Sequence, residues 1–301
     1  MPQPRTVAVT GASGFLGTAL CQALTQRGDR VIHLVRTTPS GPGERPWQAR
    51  PGGLLPETLA DVDAVVHLAG AGVGDRRWTP AYKDLILRSR VEGTTAVAEA
   101  VAEQSRSGRA IRLVSASAIG AYGDRGDEVL TESSPRGDGF LAEVVRAWEG
   151  ATRPAVDAGA AVALTRTGLV LAATGGAFAR MLTLARLGLG GPLGAGRQWW
   201  SWITLADEVR ALLHVVDTPA ITGPVNLVGP EPRRQREVAA AMGMVLGRPA
   251  FLPAPAVALR MALGEFADDI LASQRVLPTV LLDNGFRFEH ASLGAAVATL
   301  V

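Results

Sequence analysis

The sequence predicts an α/β fold: a doubly wound parallel sheet followed by a smaller, mostly α-helical C-terminal lobe. Three observations carry this. Apolar, β-branched runs alternate with helical patterns through the first two thirds of the 301 residues. The runs are apolar throughout rather than alternating, as strands covered on both faces are. From Arg233 onward the strand runs give way to helical segments separated by Pro and Gly.

The elements follow in order. Thr6–Thr10 (TVAVT) reads as a strand and Phe15–Arg27 as a helix. Val31–Val35 is the second strand. Thr37–Pro56 is dense in Pro and Gly and reads as a loop with one short strand around Trp47. Ala64–Leu68, Ile111–Ser115 and Ala161–Thr165 are the third, fourth and fifth strands. Thr79 is placed to cap a helix, and Pro80 sits in its first turn, where a missing N–H costs nothing. That helix runs to about Glu103. The expected division is 1–230 for the sheet domain, with 171–200 contributing to a substrate lobe, and 231–301 for a small C-terminal domain.

Composition excludes several classes. Apolar residues make up 47% and charged residues 19%, too apolar for a disordered chain. Thirty basic residues against 28 acidic ones leave a net charge of +2, which gives no field for nucleic acid or an anionic membrane. The single cysteine, Cys21, forbids an intramolecular disulfide. The start has no basic segment followed by an apolar one, and Arg166 and Arg180 interrupt the longest apolar stretch, Ala158–Ala185. The four histidines lack metal-ligand spacing, so no metal is expected. The expectation is a cytoplasmic protein that acts on a small molecule, with no nucleic-acid or membrane partner. Its oligomeric state is left open.

The segment Gly11-Ala12-Ser13-Gly14-Phe15-Leu16-Gly17 follows a strand and opens a helix. The first glycine permits the tight turn, the second lets backbone approach a pyrophosphate, and the third packs helix on strand. The helix start offers free N–H groups and partial positive charge to phosphates. All seven residues are therefore expected to hold a dinucleotide on a Rossmann-type sheet. Val35 and Arg36 end the second strand, where the adenosine ribose lies. A carboxylate there would repel a 2′-phosphate, whereas Arg36 favours it by charge-assisted hydrogen bonds, so the expected cofactor is NADP. A solvated strand-end arginine is the plain alternative.

These residues, with His67-Leu68-Ala69-Gly70 and Ser115-Ala116-Ser117 after the third and fourth strands, resemble the extended short-chain dehydrogenase/reductases. Five blocks resemble, more narrowly, the atypical YfcH-like "epimerase family protein" group, which is NAD-dependent epimerase/dehydratase-like. They are RRWTPAYKDLILRSRVEGT (76–94), SASAIGAYG (115–123), RTGLVL (166–171), LGLGGPLGAGRQWWSWI (187–203) and VLPTVLLDNGFRF (276–288). The resemblance implies an oxidoreductase or epimerase-like activity by hydride transfer. It implies cofactor contacts at Leu68, Ala69, Gly70, Arg90, Ser115, Leu169 and Val170.

The usual proton donor of that superfamily is a Tyr with a Lys four residues on. Here the pair cannot exist, because the only tyrosines are Tyr82 and Tyr122 and the only lysine is Lys83. By the resemblance, the Tyr and Lys positions hold Leu141 and Val145, and the supporting Asn position holds Arg90. General acid–base help is worth about 10²–10⁴-fold, so its loss matters. Ser117 and Tyr122 are the expected catalytic residues, Ser117 at the superfamily's Ser position and Tyr122 as the nearest alternative donor. Tyr122 can equally be a packing residue, and Arg90 either a cofactor contact or a helix-surface charge. Arg166 is a pocket residue or a salt-bridge partner. Trp199, Trp200 and Trp202 form either a pocket wall or packing between lobes. A non-catalytic NADP-binding regulatory protein, for example one linked to cell division, is the rival reading.

Overall fold

The computed structural model describes residues 4–300. Its centre is a sheet of seven parallel strands. In chain order five are β1 (Thr6–Thr10), β2 (Arg30–Val35), β3 (Glu44–Pro46), β4 (Ala64–His67) and β5 (Arg112–Ala118). The remaining two are Ala161–Thr167 and Gly223–Leu227. Across the sheet the order is Gly223–Leu227, Ala161–Thr167, β5, β4, β1, β2, β3. A doubly wound Rossmann-type sheet is thus observed, with helices on both faces.

The continuous apolar runs are explained by that double cover. On one face Val7, Val9 and Val66 pack against Leu20 and Leu24 of helix α1 (Phe15–Arg27) and against Leu212 and Val216 of the Leu205–Asp217 helix. On the other face Ala8, Val65 and Leu113 meet Val97 and Val101 of helix α2 (Pro80–Arg106). α2 starts where its punctuation predicts: the Thr79 side chain accepts from the Tyr82 N–H at 3.2 Å. A third core joins Phe178, Leu182 and Trp202 to Val238, Met242, Leu293 and Val297, so the C-terminal helices pack on the segment that follows the fifth long strand.

Several boundaries differ from the sequence expectation. β5 continues to Ala118, and the fifth long strand to Thr167. α2 continues to Arg106. The short strand is Glu44–Pro46, and Trp47 just beyond it is buried edge-on against His67. The strand Gly223–Leu227 (GPVNL) escapes sequence reading because Gly, Pro and Asn interrupt its apolar pattern. It forms an edge of the sheet, where Pro224 costs no ladder hydrogen bond. No described helix is long and apolar enough to cross a membrane.

Candidate functional site

The strand order reverses at β1, which pairs with β2 on one side and β4 on the other. Open parallel sheets bind ligands outside the strand C-termini at such a point. The glycine loop occupies it. Gly11 has φ 67°, a left-handed conformation that favours glycine, and a Cβ on it would lie 3.0 Å from the Ala69 nitrogen. A Cβ on Gly17 would lie 2.1 Å from the Gly11 carbonyl oxygen. The loop is therefore pressed onto Leu68-Ala69-Gly70 on one side and α1 is pressed onto the loop on the other.

Gly14 precedes α1 without a side-chain cap, and the first turn has no acid. The N–H groups of Phe15, Leu16 and Gly17 are thus the free donors of a helix start. Ala12 is half-buried, Ser13 and Gly14 are exposed, and Phe15 packs against Gly175 and Gly176. A buried pair holds the floor. Thr10 Oγ1 accepts from the Leu68 and Ala69 N–H groups at 3.1 and 3.3 Å, which leaves its own hydrogen for His67 Nδ1 at 2.7 Å. His67 then carries its proton on Nε2. Burial pushes the imidazole down to about 4, so it is neutral at pH 7.

Val35 is half-buried at the end of β2 and Arg36 is exposed directly after it. Uncapped helix amides, a Cβ-free cradle and a cation beyond β2 together fit a dinucleotide with a 2′-phosphate. Arg90 of α2 lies against Gly70, donates to the Ala71 and Ile86 carbonyls at 2.8 and 3.2 Å, and stacks on Trp148 at 4.9 Å. Burial pulls its guanidinium down to about 10, still cationic. Lys83, one helix stretch before it, turns instead to Glu265 at 2.7 Å. Leu169 and Val170 are half-buried in the short strand Leu169–Leu171, paired with Trp202–Thr204, and Ser115 is fully buried within β5.

Ser117, Arg166 and Asn226 form a lateral row across three neighbouring strand ends. Residues in register point to the same face, and helix α3 (Phe140–Gly150) brings Glu149 there. Ser117 Oγ donates to Glu149 Oε1 at 2.7 Å, and Arg166 Nε to the same oxygen at 2.8 Å. Arg166 Nη2 reaches Glu149 Oε2 at 2.9 Å, and Arg136 bonds that oxygen too. Arg166 Nη1 donates to the Tyr122 hydroxyl at 3.0 Å, which itself donates to Asn226 Oδ1 at 2.8 Å. Asn226 Nδ2 closes the chain on the Leu277 carbonyl at 3.0 Å.

Burial alone would raise the Glu149 carboxyl, but Arg166, Ser117 and Arg136 outweigh it and hold the group below its usual range. Burial raises the Tyr122 phenol despite the adjacent Arg166, so it stays protonated. Ser117 and Tyr122 are both buried, with their hydroxyls committed inside the network. The cation beside Tyr122 is Arg166, over its ring at 5.1 Å. Leu141 and Val145 stand on α3, Val145 buried, and bring no acid or base. Of the tryptophans, Trp202 is buried in the C-terminal core, while Trp199 lies between Arg234 and Arg275 at 4.2 and 4.4 Å. Sequence reasoning missed Glu149, Asn226 and Arg136, because nothing in their local spacing marks them. It also missed Glu208, fully buried with Oε1 accepting from Thr167 Oγ1 at 2.8 Å; burial pushes its carboxyl up to about 8.

Comparison with known proteins agrees with this architecture. Residues 7–229 match the model of the NAD dependent epimerase/dehydratase family, and residues 254–300 match a domain of unknown function, DUF1731. The chain is 44% identical to "Epimerase family protein Mb2239" of Mycobacterium bovis over 292 residues, covering 97% of this chain and 96% of that one. The crystal structure of human epimerase family protein SDR39U1 (isoform 2) with NADPH is 33% identical, with a TM-score of 0.87 over 98% of each chain. A nucleoside-diphosphate sugar epimerase of Corynebacterium glutamicum is 38% identical, with a TM-score of 0.81 over 99% of this chain and 58% of that one. The fold, the glycine cleft and these likenesses converge: the chain belongs to the NAD dependent epimerase/dehydratase family.

Proposed function

We propose that this protein binds NADP(H) in the cleft between β1 and β4 and acts on a small molecule as an oxidoreductase or epimerase-like enzyme. The observation that carries the binding reading is the uncapped α1 start facing a cradle that no Cβ can enter, with Arg36 beyond β2. The human relative crystallised with NADPH supports the choice of coenzyme. The backbone of residues 11–17 takes the pyrophosphate, Arg36 the 2′-phosphate, and Leu68, Ala69, Gly70, Arg90, Ser115, Leu169 and Val170 line the rest. The bound nicotinamide supplies the hydride chemistry. In this reading Tyr122 serves as proton donor and Ser117 orients the substrate, each released from its bond to Asn226 or Glu149 when substrate enters. The raised Tyr122 phenol retains a proton to give.

A second reading, a non-catalytic NADP-binding regulator, is favoured by one observation: both hydroxyls already have partners within the protein. Stopped-flow absorbance at the nicotinamide band, with a library of carbonyl substrates, separates the two. Oxidation of NADPH that Ser117→Ala or Tyr122→Phe abolishes establishes the enzyme. Tight NADPH binding with no oxidation across the library establishes the regulator. No binding of either pyridine coenzyme overturns both.

A further inference from the structure

We propose that the hollow at the opposite end of the sheet, beside the strand N-termini, is a second binding site that takes a small organic phosphate. The hollow has a volume of about 700 Å³ and is lined by Arg5, Asp63, Arg109 and Arg112 at or near the starts of β1, β4 and β5. That is the size of a small-ligand pocket and far exceeds one water. The glycine loop follows the other end of β1, so the two sites are separated by the length of a strand.

The charge of the lining is cationic. Asp63, its one acid, accepts the Thr6 N–H on Oδ2 at 2.8 Å. Arginines beside helix C-termini have an ordinary reason to be there, since the last carbonyls favour cations. Arg5 answers it with a 2.9 Å bond to the Val216 carbonyl and an ion pair to Asp217 at 3.5 Å. Arg109 donates to the carbonyls of Leu59 and Val62 at 3.2 and 3.0 Å.

Arg112 is different. It is 4% exposed, and one side-chain bond holds it, from Nη2 to the Ile221 carbonyl at 2.7 Å. Its Nε and Nη1 find no partner among the described residues. A buried guanidinium with spare donors and no carboxylate is costly. Burial, and then the neighbouring Arg5, weaken its hold on the proton. An oxyanion that Arg112 turns toward would satisfy these donors and relieve the repulsion by Arg5. Guanidinium groups bind phosphate through paired, charge-assisted hydrogen bonds. Ala158, Ala160 and Pro219 add an apolar wall for an organic substituent.

The test is calorimetric titration of the NADPH-saturated protein with phenyl phosphate, with phenol as the uncharged control. Saturable heat with phenyl phosphate alone is expected. Affinity should fall at least about tenfold in Arg109→Ala and in Arg112→Met, the loss of one charge-assisted bond. Arg109 is partly exposed, so its variant stays informative if Arg112→Met fails to fold. The titration is repeated without NADPH, which makes it independent of the coenzyme reading. Heat that NADPH abolishes belongs to the nucleotide cleft and overturns the proposal. No saturable heat at millimolar ligand, or unchanged affinity in Arg109→Ala, also overturns it.

Discussion

Ser117 and Arg166 are lateral neighbours on adjacent parallel strands, and both donate to one oxygen, Oε1 of Glu149, at 2.7 and 2.8 Å. The carboxylate therefore joins β5, the Ala161–Thr167 strand and α3 at the end of the sheet where the nucleotide cleft opens. Through Tyr122 and Asn226 the same chain of bonds reaches the C-terminal segment at Leu277.

Breaking this pair from one side leaves a buried charge without its partner. Arg166→Met is expected to cost about 3–5 kcal/mol of stability, read from urea unfolding. The pH dependence has a definite sign. Glu149 titrates lower in the folded chain than its ordinary 4.5. Its contribution is present above that value and is lost as pH falls through the folded one. Glu149→Gln should therefore destabilise at pH 7 and flatten the acid limb of the stability curve. A variant with wild-type stability at pH 7 contradicts the bonded network.

Glu208 and His67 should work against each other as pH changes. The Glu208 carboxyl moves from 4.5 to about 8 on folding, so the folded chain binds more protons and Glu208 lowers stability as pH rises from about 4.5 to 8. The His67 imidazole moves from 6.5 to about 4, so its contribution is lost as pH falls from about 6.5 to 4. Each slope is at most about 1.4 kcal/mol per pH unit. Relative to wild type, Glu208→Gln should gain stability steadily between pH 5 and 8, the range set by these shifts. Denaturant midpoints at several pH values measure it, and a pH-independent difference refutes the buried neutral acid.

Arg36→Ala should reduce NADPH affinity while sparing NADH. Hydrogen bonds to charged groups contribute roughly 1.5–3 kcal/mol, or about ten- to a hundredfold in affinity. Fluorescence titration of both coenzymes against both proteins gives the comparison. Equal wild-type affinities for NADPH and NADH would remove Arg36 from the 2′-phosphate.

Gly17→Ala forces a methyl to within 2.1 Å of the Gly11 carbonyl oxygen. Backbone must shift, at roughly 1–3 kcal/mol. The melting temperature should fall, and NADPH affinity should fall more steeply than stability, because the displaced loop carries the phosphate donors. Unchanged coenzyme affinity would show that the loop is a structural turn only.

The sheet and the glycine turn at its switch point were legible in the residues because both rest on local patterns. Apolar runs mark strands covered on both faces, and three glycines at fixed spacing after a strand mark a phosphate turn. Thr79 and Pro80 marked the start of α2 for the same reason. The Gly223–Leu227 strand was not legible, since an edge position tolerates the Gly, Pro and Asn that obscure its pattern. Nor was the Ser117–Glu149–Arg166–Tyr122–Asn226 network, whose members come from four separate stretches of chain and meet through strand register and the docking of α3. Spacing along the sequence carries no record of such a meeting. Whether a hydroxyl faces a cleft or a buried arginine depends on which strands lie side by side, and long-range packing sets that.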